Sequence, residues 1–176
     1  SMSGDAWTAG DAYEAYMGRW SQEVARRFLA WLEPPAGAHW LEIGCGTGAL
    51  TSTLAARCRP ASVVACDPST AFLERARGAV ADTCVRFVSA SAESLPRRAG
   101  GFDAIVSGLV LNFVPKPERA AGEMRRAVRP GGKVGVYVWD YAGKMELMRY
   151  FWDAAVELDA AARSLDEGVR FPLCNE

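Results

Sequence analysis

Leu41-Glu42-Ile43-Gly44-Cys45-Gly46-Thr47-Gly48 is the stretch on which the fold turns. An apolar run, His39 to Ile43, stops abruptly at three glycines in alternate positions, and a helical pattern takes over from Thr47. That order reads as strand, tight turn and helix. Alternate glycines accept positive φ and carry no Cβ to stand between the backbone and a bound molecule. A loop without side chains, set where a strand meets a helix N-terminus, is a place for a ligand.

Downstream of this loop, short apolar strands alternate with helical patterns. Ser62 to Cys66 reads as a second strand, closed by Asp67. Pro68-Ser69 opens a helix with Ser69 as N-cap and Phe72, Ala76 and Val80 on its inner face. Cys84 to Val88 is a third strand, followed by a polar loop, Ser89 to Pro96. Phe102 to Ser107 is a fourth strand, and Gly108 to Val114 reads as a turn or short helix. Pro117 suits the first turn of a helix carrying Ala121, Met124 and Val128. Arg129-Pro130-Gly131-Gly132 reads as a turn before a fifth strand, Lys133 to Trp139.

Upstream, a short helix from about Asp11 precedes a second one capped by Ser21. The second carries Val24, Phe28, Trp31 and Leu32 as one apolar stripe and stops at Pro34-Pro35. Beyond strand five, Leu147, Phe151, Trp152, Ala155, Leu158 and Ala162 recur at helical spacing between Lys144 and Ser164, and Gly168 to Glu176 shows no pattern. Strands that alternate with helices call for parallel pairing through right-handed crossovers, hence a doubly wound α/β sheet. Ligands of such sheets lie beyond the C-terminal strand ends. Gly44–Gly48, Asp67, Ser91–Glu93 and Ser107–Leu109 all fall there.

Composition narrows the classes. The 176 residues suffice for one domain, half of them hydrophobic and 23% charged, an ordinary globular balance. A net charge of −1 does not favour nonspecific nucleic-acid binding, which needs a basic surface. Arg97-Arg98 and Arg125-Arg126 read as solvated surface. The five cysteines are scattered and form no CxxC pair, so neither a disulfide framework nor a metal site is expected. No apolar run is long enough to span a membrane, and the first residues lack the charged and apolar regions of a signal peptide; the expectation is a cytoplasmic protein. His39, the single histidine, starts a strand at the end opposite the glycine loop, which leaves a Ser-His hydrolase without its base.

Asp67 closes strand two, where a carboxylate can accept both hydroxyls of a ribose. A nucleoside therefore fits. Gly44-x-Gly46-x-x-Ala49 also satisfies the loose dinucleotide fingerprint, so two cofactor classes share this layout.

The ordered motifs separate them. Leu41 to Gly48 resembles the first motif of the class I S-adenosylmethionine-dependent methyltransferases. Phe102-Asp103-Ala104-Ile105-Val106-Ser107 resembles their fourth-strand motif. Leu95-Pro96, and Glu118 through Val128 with Arg129–Gly132, resemble the loop and the approach to strand five. The resemblance runs in order from about residue 37 to 140. It is closest to the small-molecule branch (methyltransferase type 11) that includes the ubiquinone/menaquinone-biosynthesis enzymes. Tyr13 to Ser21, with Met17-Gly18-Arg19-Trp20, resembles a leader of that branch.

This resemblance implies a strand order of 3-2-1-4-5 and S-adenosyl-L-methionine as cofactor. It implies that Glu42 and the backbone of Gly44, Cys45, Gly46 and Gly48 line the methionine portion. Asp67 would hold the ribose, flanked by Pro68, Ser69 and Phe72, with Ser69 and Phe72 also flanking the adenine. Ser91, Ala92 and Glu93 correspond to the adenine-binding turn, with Ser91 standing where many relatives carry Asp. Ser107, Gly108 and Leu109 would lie beside the methionine carboxylate and the sulfur. Tyr16 and Arg19 would close over the cofactor, Arg19 toward its carboxylate. Asn112 stands where relatives often have His.

The activity implied is methyl transfer to a small apolar or aromatic molecule, the aromatic stretch Trp139, Tyr141, Met145, Met148 and Trp152 helping to build its pocket. Asp140 is the candidate base. The alternatives are a cofactor-binding, non-catalytic module or partner subunit, and a nicotinamide oxidoreductase. The family's sheet normally ends with antiparallel strands, and the pattern after Asp140 shows none. The chain thus reads as an N-terminal helical cap (1–36), a cofactor-binding core (37–140), and a helix and tail (141–176) forming part of a substrate lid. It is expected to be an incomplete methyltransferase domain, with strand five left as an open edge through which copies could pair.

Overall fold

The computed structural model describes residues 9–108, 115–139 and 147–153, with side chains over 18–108 and 115–138. At its centre is β1 (His39–Ile43), hydrogen-bonded on one side to β2 (Ser62–Asp67) and on the other to β4 (Phe102–Gly108), both parallel. β3 (Val85–Ser89) flanks β2, and β5 (Val128–Trp139) flanks β4, again parallel. The expected order 3-2-1-4-5 is the observed one. The crossover elements are α2 (Ala49–Arg57), α3 (Thr70–Ala79) and α4 (Pro117–Ala127), preceded by α1 (Ala9–Leu32).

Side chains alternate across the strands and fill two cores, as a sheet covered on both faces requires. Leu41, Ile43, Val64, Ile105, Val134 and Val136 pack with Ala121, Met124 and Ala127 of α4. On the opposite face Trp40, Val63, Ala65, Val106 and Tyr137 meet Val24, Phe28 and Leu32 of α1, and Leu50 and Leu54 of α2. α1 docks closely because Gly135 is bare: a Cβ there would lie 2.9 Å from Phe28 Cζ and 3.0 Å from Leu32 Cδ1. Glu33 follows α1 at φ +48° and Arg59 follows the C-cap of α2 at φ +46°, each just before a proline. A left-handed residue followed by proline ends both helices.

The end of the sheet away from the glycine loop is tied by polar groups. The His39 N–H donates to Asp103 Oδ2 (2.7 Å), and Arg129 Nε donates to Asp103 Oδ1 (2.6 Å). His39 Nδ1 meets Ser62 Oγ at 2.6 Å. The single histidine is thus a joint between β1 and β2, as its position suggested.

Several expectations need correction. The two N-terminal helices are one, Ala9–Leu32: no proline interrupts the run, and Ser21 lies in the interior of the helix rather than at a cap. The stretch from Arg129 to Gly132 belongs to β5, where a register shift between Phe102 and Ala104 absorbs it. Leu147–Asp153 does not form a helix. It is β6, antiparallel to β5, with Lys133 opposite Asp153 and Trp139 opposite Leu147. An antiparallel strand is therefore present and β5 is not an edge; the edges of the described sheet are β3 and β6. The run Leu147-Met148-Arg149-Tyr150-Phe151-Trp152-Asp153 is rich in aromatic residues that favour strands, and pairing with β5 overrides its helical spacing. Among the described residues no helix is long and apolar enough to cross a membrane.

Candidate ligand-binding edge

Register sets the site. Ile43 pairs with Cys66 and with Ser107, Asp67 pairs with Ser89, and Gly108 pairs with Tyr137. The glycine loop, Asp67, the loop after Ser89, and Gly108 therefore line one edge of the sheet.

Gly44, Gly46 and Gly48 adopt φ of +68°, +54° and +97°. At Gly48 the demand is also steric: a Cβ would approach Val80 Cγ2 to 3.1 Å and Ala76 Cβ to 3.4 Å. At Gly46 nothing lies within 4 Å of that point, so the turn presents bare backbone to open space. Asp67 holds the turn in place. Its Oδ2 accepts from the Gly46 N–H (3.0 Å) and its Oδ1 from the Ser69 N–H (2.8 Å). Cys45 N–H donates to the Cys66 carbonyl (2.9 Å). One carboxylate thus joins the loop after β1 to the start of α3, with its remaining lone pairs left for a ligand.

Glu42 is 1% exposed and accepts a hydrogen bond from Thr51 Oγ1 (2.5 Å). Burial pushes its carboxyl up to about 7, against the Thr51 bond, and the charge of Asp67 adds to the rise. Burial likewise raises the Cys45 thiol, and the Cys66 thiol to about 12, so neither is a ready nucleophile. Among the described residues no cluster of metal ligands occurs.

The other expected residues fall as follows. Ser69 Oγ accepts from the Phe72 N–H (3.2 Å), the anticipated N-cap. Phe72 is 46% exposed, not on the inner face of α3; Leu73 and Ala76 occupy that face. An aromatic ring left in solvent five residues after Asp67, in the first turn of α3, is available for stacking. Pro68 and Ser91 are exposed, and Ala92 and Glu93 are half-buried. Glu93 Oε1 is buried without a hydrogen-bond partner. Ser107 Oγ donates to the Ile43 carbonyl (2.9 Å), so this hydroxyl ties β4 to β1. Arg19 is exposed and lines a groove between α1 and α2 with Ser52, Ala56 and Arg57. The side chains of Tyr16, Trp139, Met148 and Trp152 lie outside the described residues, as do Leu109, Asn112, Asp140, Tyr141 and Met145.

Two features were missed by sequence reasoning. Glu123 of α4 accepts from the Leu95 N–H (3.0 Å), from Arg97 (3.1 Å) and from Arg126 (2.7 Å). Arg97 and Arg126 are exposed, as expected of solvated surface, and both reach Glu123, Arg97 from the loop after β3 and Arg126 from α4 itself. Tyr137 sits on β5 under Gly108, whose Cβ would come within 2.4 Å of its ring. A tyrosine among valines was the available signal.

The bare turn at Gly46, the exposed ring of Phe72 and the unpaired Glu93 oxygen fit an elongated ligand with a nucleoside at one end. Comparison with known proteins identifies the family. The family described as "Methyltransferase domain" matches residues 41–136. An uncharacterized methyltransferase of Mycobacterium bovis is 36% identical over 112 residues, 64% of this chain and 44% of the relative. The demethylmenaquinone methyltransferase of Clavibacter sepedonicus is 38% identical over 102 residues, 57% of this chain and 41% of the relative. The chain thus spans less than half the length of these curated relatives. The structure of Haemonchus contortus phosphoethanolamine N-methyltransferase 2 in complex with S-adenosyl-L-methionine superposes with a TM-score of 0.61 and 26% identity, over 68% of this chain and 28% of that one. The chain belongs to the methyltransferase-domain family.

Proposed function

We propose that this chain carries out methyl transfer from S-adenosyl-L-methionine to a small apolar or aromatic acceptor. The observation that carries the reading is Asp67, a buried carboxylate that fixes the bare Gly46 turn and stands beside it at the strand ends. S-adenosyl-L-methionine supplies a methyl group on a sulfonium already activated to leave. The protein's part is alignment and exclusion of water, which can account for much of the rate.

In this reading Glu42 and the backbone of Gly44–Gly48 hold the amino-acid end, and Asp67 takes the ribose hydroxyls. Phe72 stacks beside the nucleoside, and residues 91–93 receive the adenine. Ser107 acts indirectly by fixing β4 to β1, and Gly108 admits the Tyr137 ring of β5 against the strand end. The segment 1–36 acts as a cap on the 37–140 core. The residues that follow, with β6 among them, contribute to the acceptor pocket. The likeness to a demethylmenaquinone methyltransferase and the aromatic run from Trp139 to Trp152 support an aromatic acceptor.

Titration calorimetry tests the cofactor. S-adenosylhomocysteine should bind and NAD should not; the reverse result sinks the proposal. An acceptor screen read out as released S-adenosylhomocysteine then tests transfer. Binding without turnover on any quinol, phenol or amine would favour a non-catalytic module.

A further inference from the structure

Arg26 and Arg57 stand in the walls of two adjoining concavities between α1 and α2. One, of about 340 Å3, is floored by Leu29 and Pro34 and rimmed by Glu33 and Arg59. The other, of about 470 Å3, runs back along both helices to Arg19. Together they form a groove about 20 Å long, the rise of α1 from Arg19 to its end.

The groove carries positive charge in excess. Arg19, Arg26, Arg57 and Arg59 are all exposed, and Arg26 shares Glu23 with Arg27. Arg19, Arg57 and Arg59 meet no carboxylate among the described residues. The whole chain has a net charge of −1, so the excess belongs to this surface and not to the composition. Arg57 lies in the last turn of α2, where a cation complements the helix dipole, but that does not account for its neighbours. Among the described residues, Glu33 and Arg59 are the two non-glycines at positive φ, and both line this groove. Glycine would end either helix at lower cost, yet each left-handed turn here carries a long charged side chain. The Gly37 N–H donates to the Arg59 carbonyl (2.9 Å) and the Ala61 N–H to the Ala38 carbonyl (2.8 Å), so the loops before β1 and β2 fix this rim.

Chemistry selects the partner. Guanidinium groups spaced along an apolar floor suit carboxylates and apolar side chains on one peptide segment. Glu23 and Glu33, interleaved with the arginines, would repel a phosphodiester chain, and no aromatic ring among the described residues lines the groove for a base to stack on.

We propose that the α1–α2 groove docks an acidic, amphipathic segment of a partner protein, whose carboxylates pair with Arg19, Arg57 and Arg59 and whose apolar side chains cover Leu29 and Pro34. Its anchor at Arg59 precedes β2, at the end of the sheet opposite Asp67. The probe is a fluorescein-labelled peptide of about sixteen residues repeating Glu-Glu-Leu-Ala, long enough as a helix to fill the groove, followed by fluorescence anisotropy. Saturable binding is expected, weakening as salt is raised and falling about tenfold in Arg57→Gln/Arg59→Gln. Arg59→Gly alone, which relieves the left-handed backbone and so guards against an unfolded double variant, should cost about threefold. Arg75→Gln/Arg86→Gln, the same charge change on exposed residues of α3 and β3, should alter affinity by about twofold or less. No binding, undiminished affinity in the groove variants, or an equal loss in the Arg75/Arg86 pair overturns the proposal. So does tighter binding of a labelled oligothymidylate of equal charge, which would make the groove a nucleic-acid surface.

Discussion

Replacing Asp67 by Asn separates two roles for one carboxylate. Both oxygens accept backbone N–H groups, from Gly46 at 3.0 Å and from Ser69 at 2.8 Å, and the residue is 7% exposed. Asn keeps the shape, removes the charge and points an NH2 group at one of the two donors. Hydrogen bonds to a charged acceptor contribute about 1.5–3 kcal/mol each. Losing one and weakening the other should destabilise the chain by about 2–4 kcal/mol. For a chain of this size that corresponds to a fall in Tm of roughly 5–15 °C. Circular dichroism melts without ligand read this directly, and calorimetry with S-adenosylhomocysteine reads the second role. Both Tm and affinity should fall. An unchanged Tm with lost affinity would refute the claim that Asp67 builds the loop, leaving it as a ligand contact alone.

Gly108→Ala should destabilise by about 1–3 kcal/mol, because its Cβ collides with the Tyr137 ring. In a Tyr137→Val background the further cost of Gly108→Ala should largely vanish in urea denaturation, and an undiminished cost would remove the steric account. Glu42 titrates near 7 in the folded chain, above the ordinary 4.5, so the folded state binds more protons between those values. Its favourable contribution is present at low pH and fades as pH rises through 7. Urea midpoints should therefore fall from pH 5 to pH 8 more steeply in the wild type than in Glu42→Gln, and parallel profiles would show that Glu42 does not titrate there. Glu123→Ala should cost about 1–3 kcal/mol and speed amide exchange at Leu95, which loses its acceptor. Unchanged exchange would mean that the loop is held by other contacts.

The strand–glycine–helix turn was legible because its signal is local. Positive φ at Gly44, Gly46 and Gly48 is a property of those residues, and alternation with helices dictates a parallel sheet around β1. Helix starts with a local cap, such as Ser69, were equally legible. The errors share a cause. Leu147–Asp153 matches a helical spacing, yet its state is decided by β5, to which it pairs. The bond from the Gly46 N–H to Asp67 was not legible, because the two residues lie 21 apart in sequence. Glu123 gathers Leu95 and Arg97 from another loop, a meeting that no helical pattern announces. Phe72 was assigned to the inner face by spacing, but the phase of α3 is set by Leu73 and Ala76 against the sheet.

Gly135 also orders events during synthesis. Phe28 and Leu32 leave the ribosome early, but the bare backbone that receives them is made about a hundred residues later. Until β5 is threaded beside β4, the apolar stripe of α1 lacks part of its seat, and a nascent chain carries that surface exposed. α1 also packs on α2 and β1, so β5 completes the seat of α1 rather than creating it. Gly135→Ala, which leaves the strand-ends site untouched, should delay or prevent that completion and raise aggregation during refolding, while the sheet up to β4 still collapses.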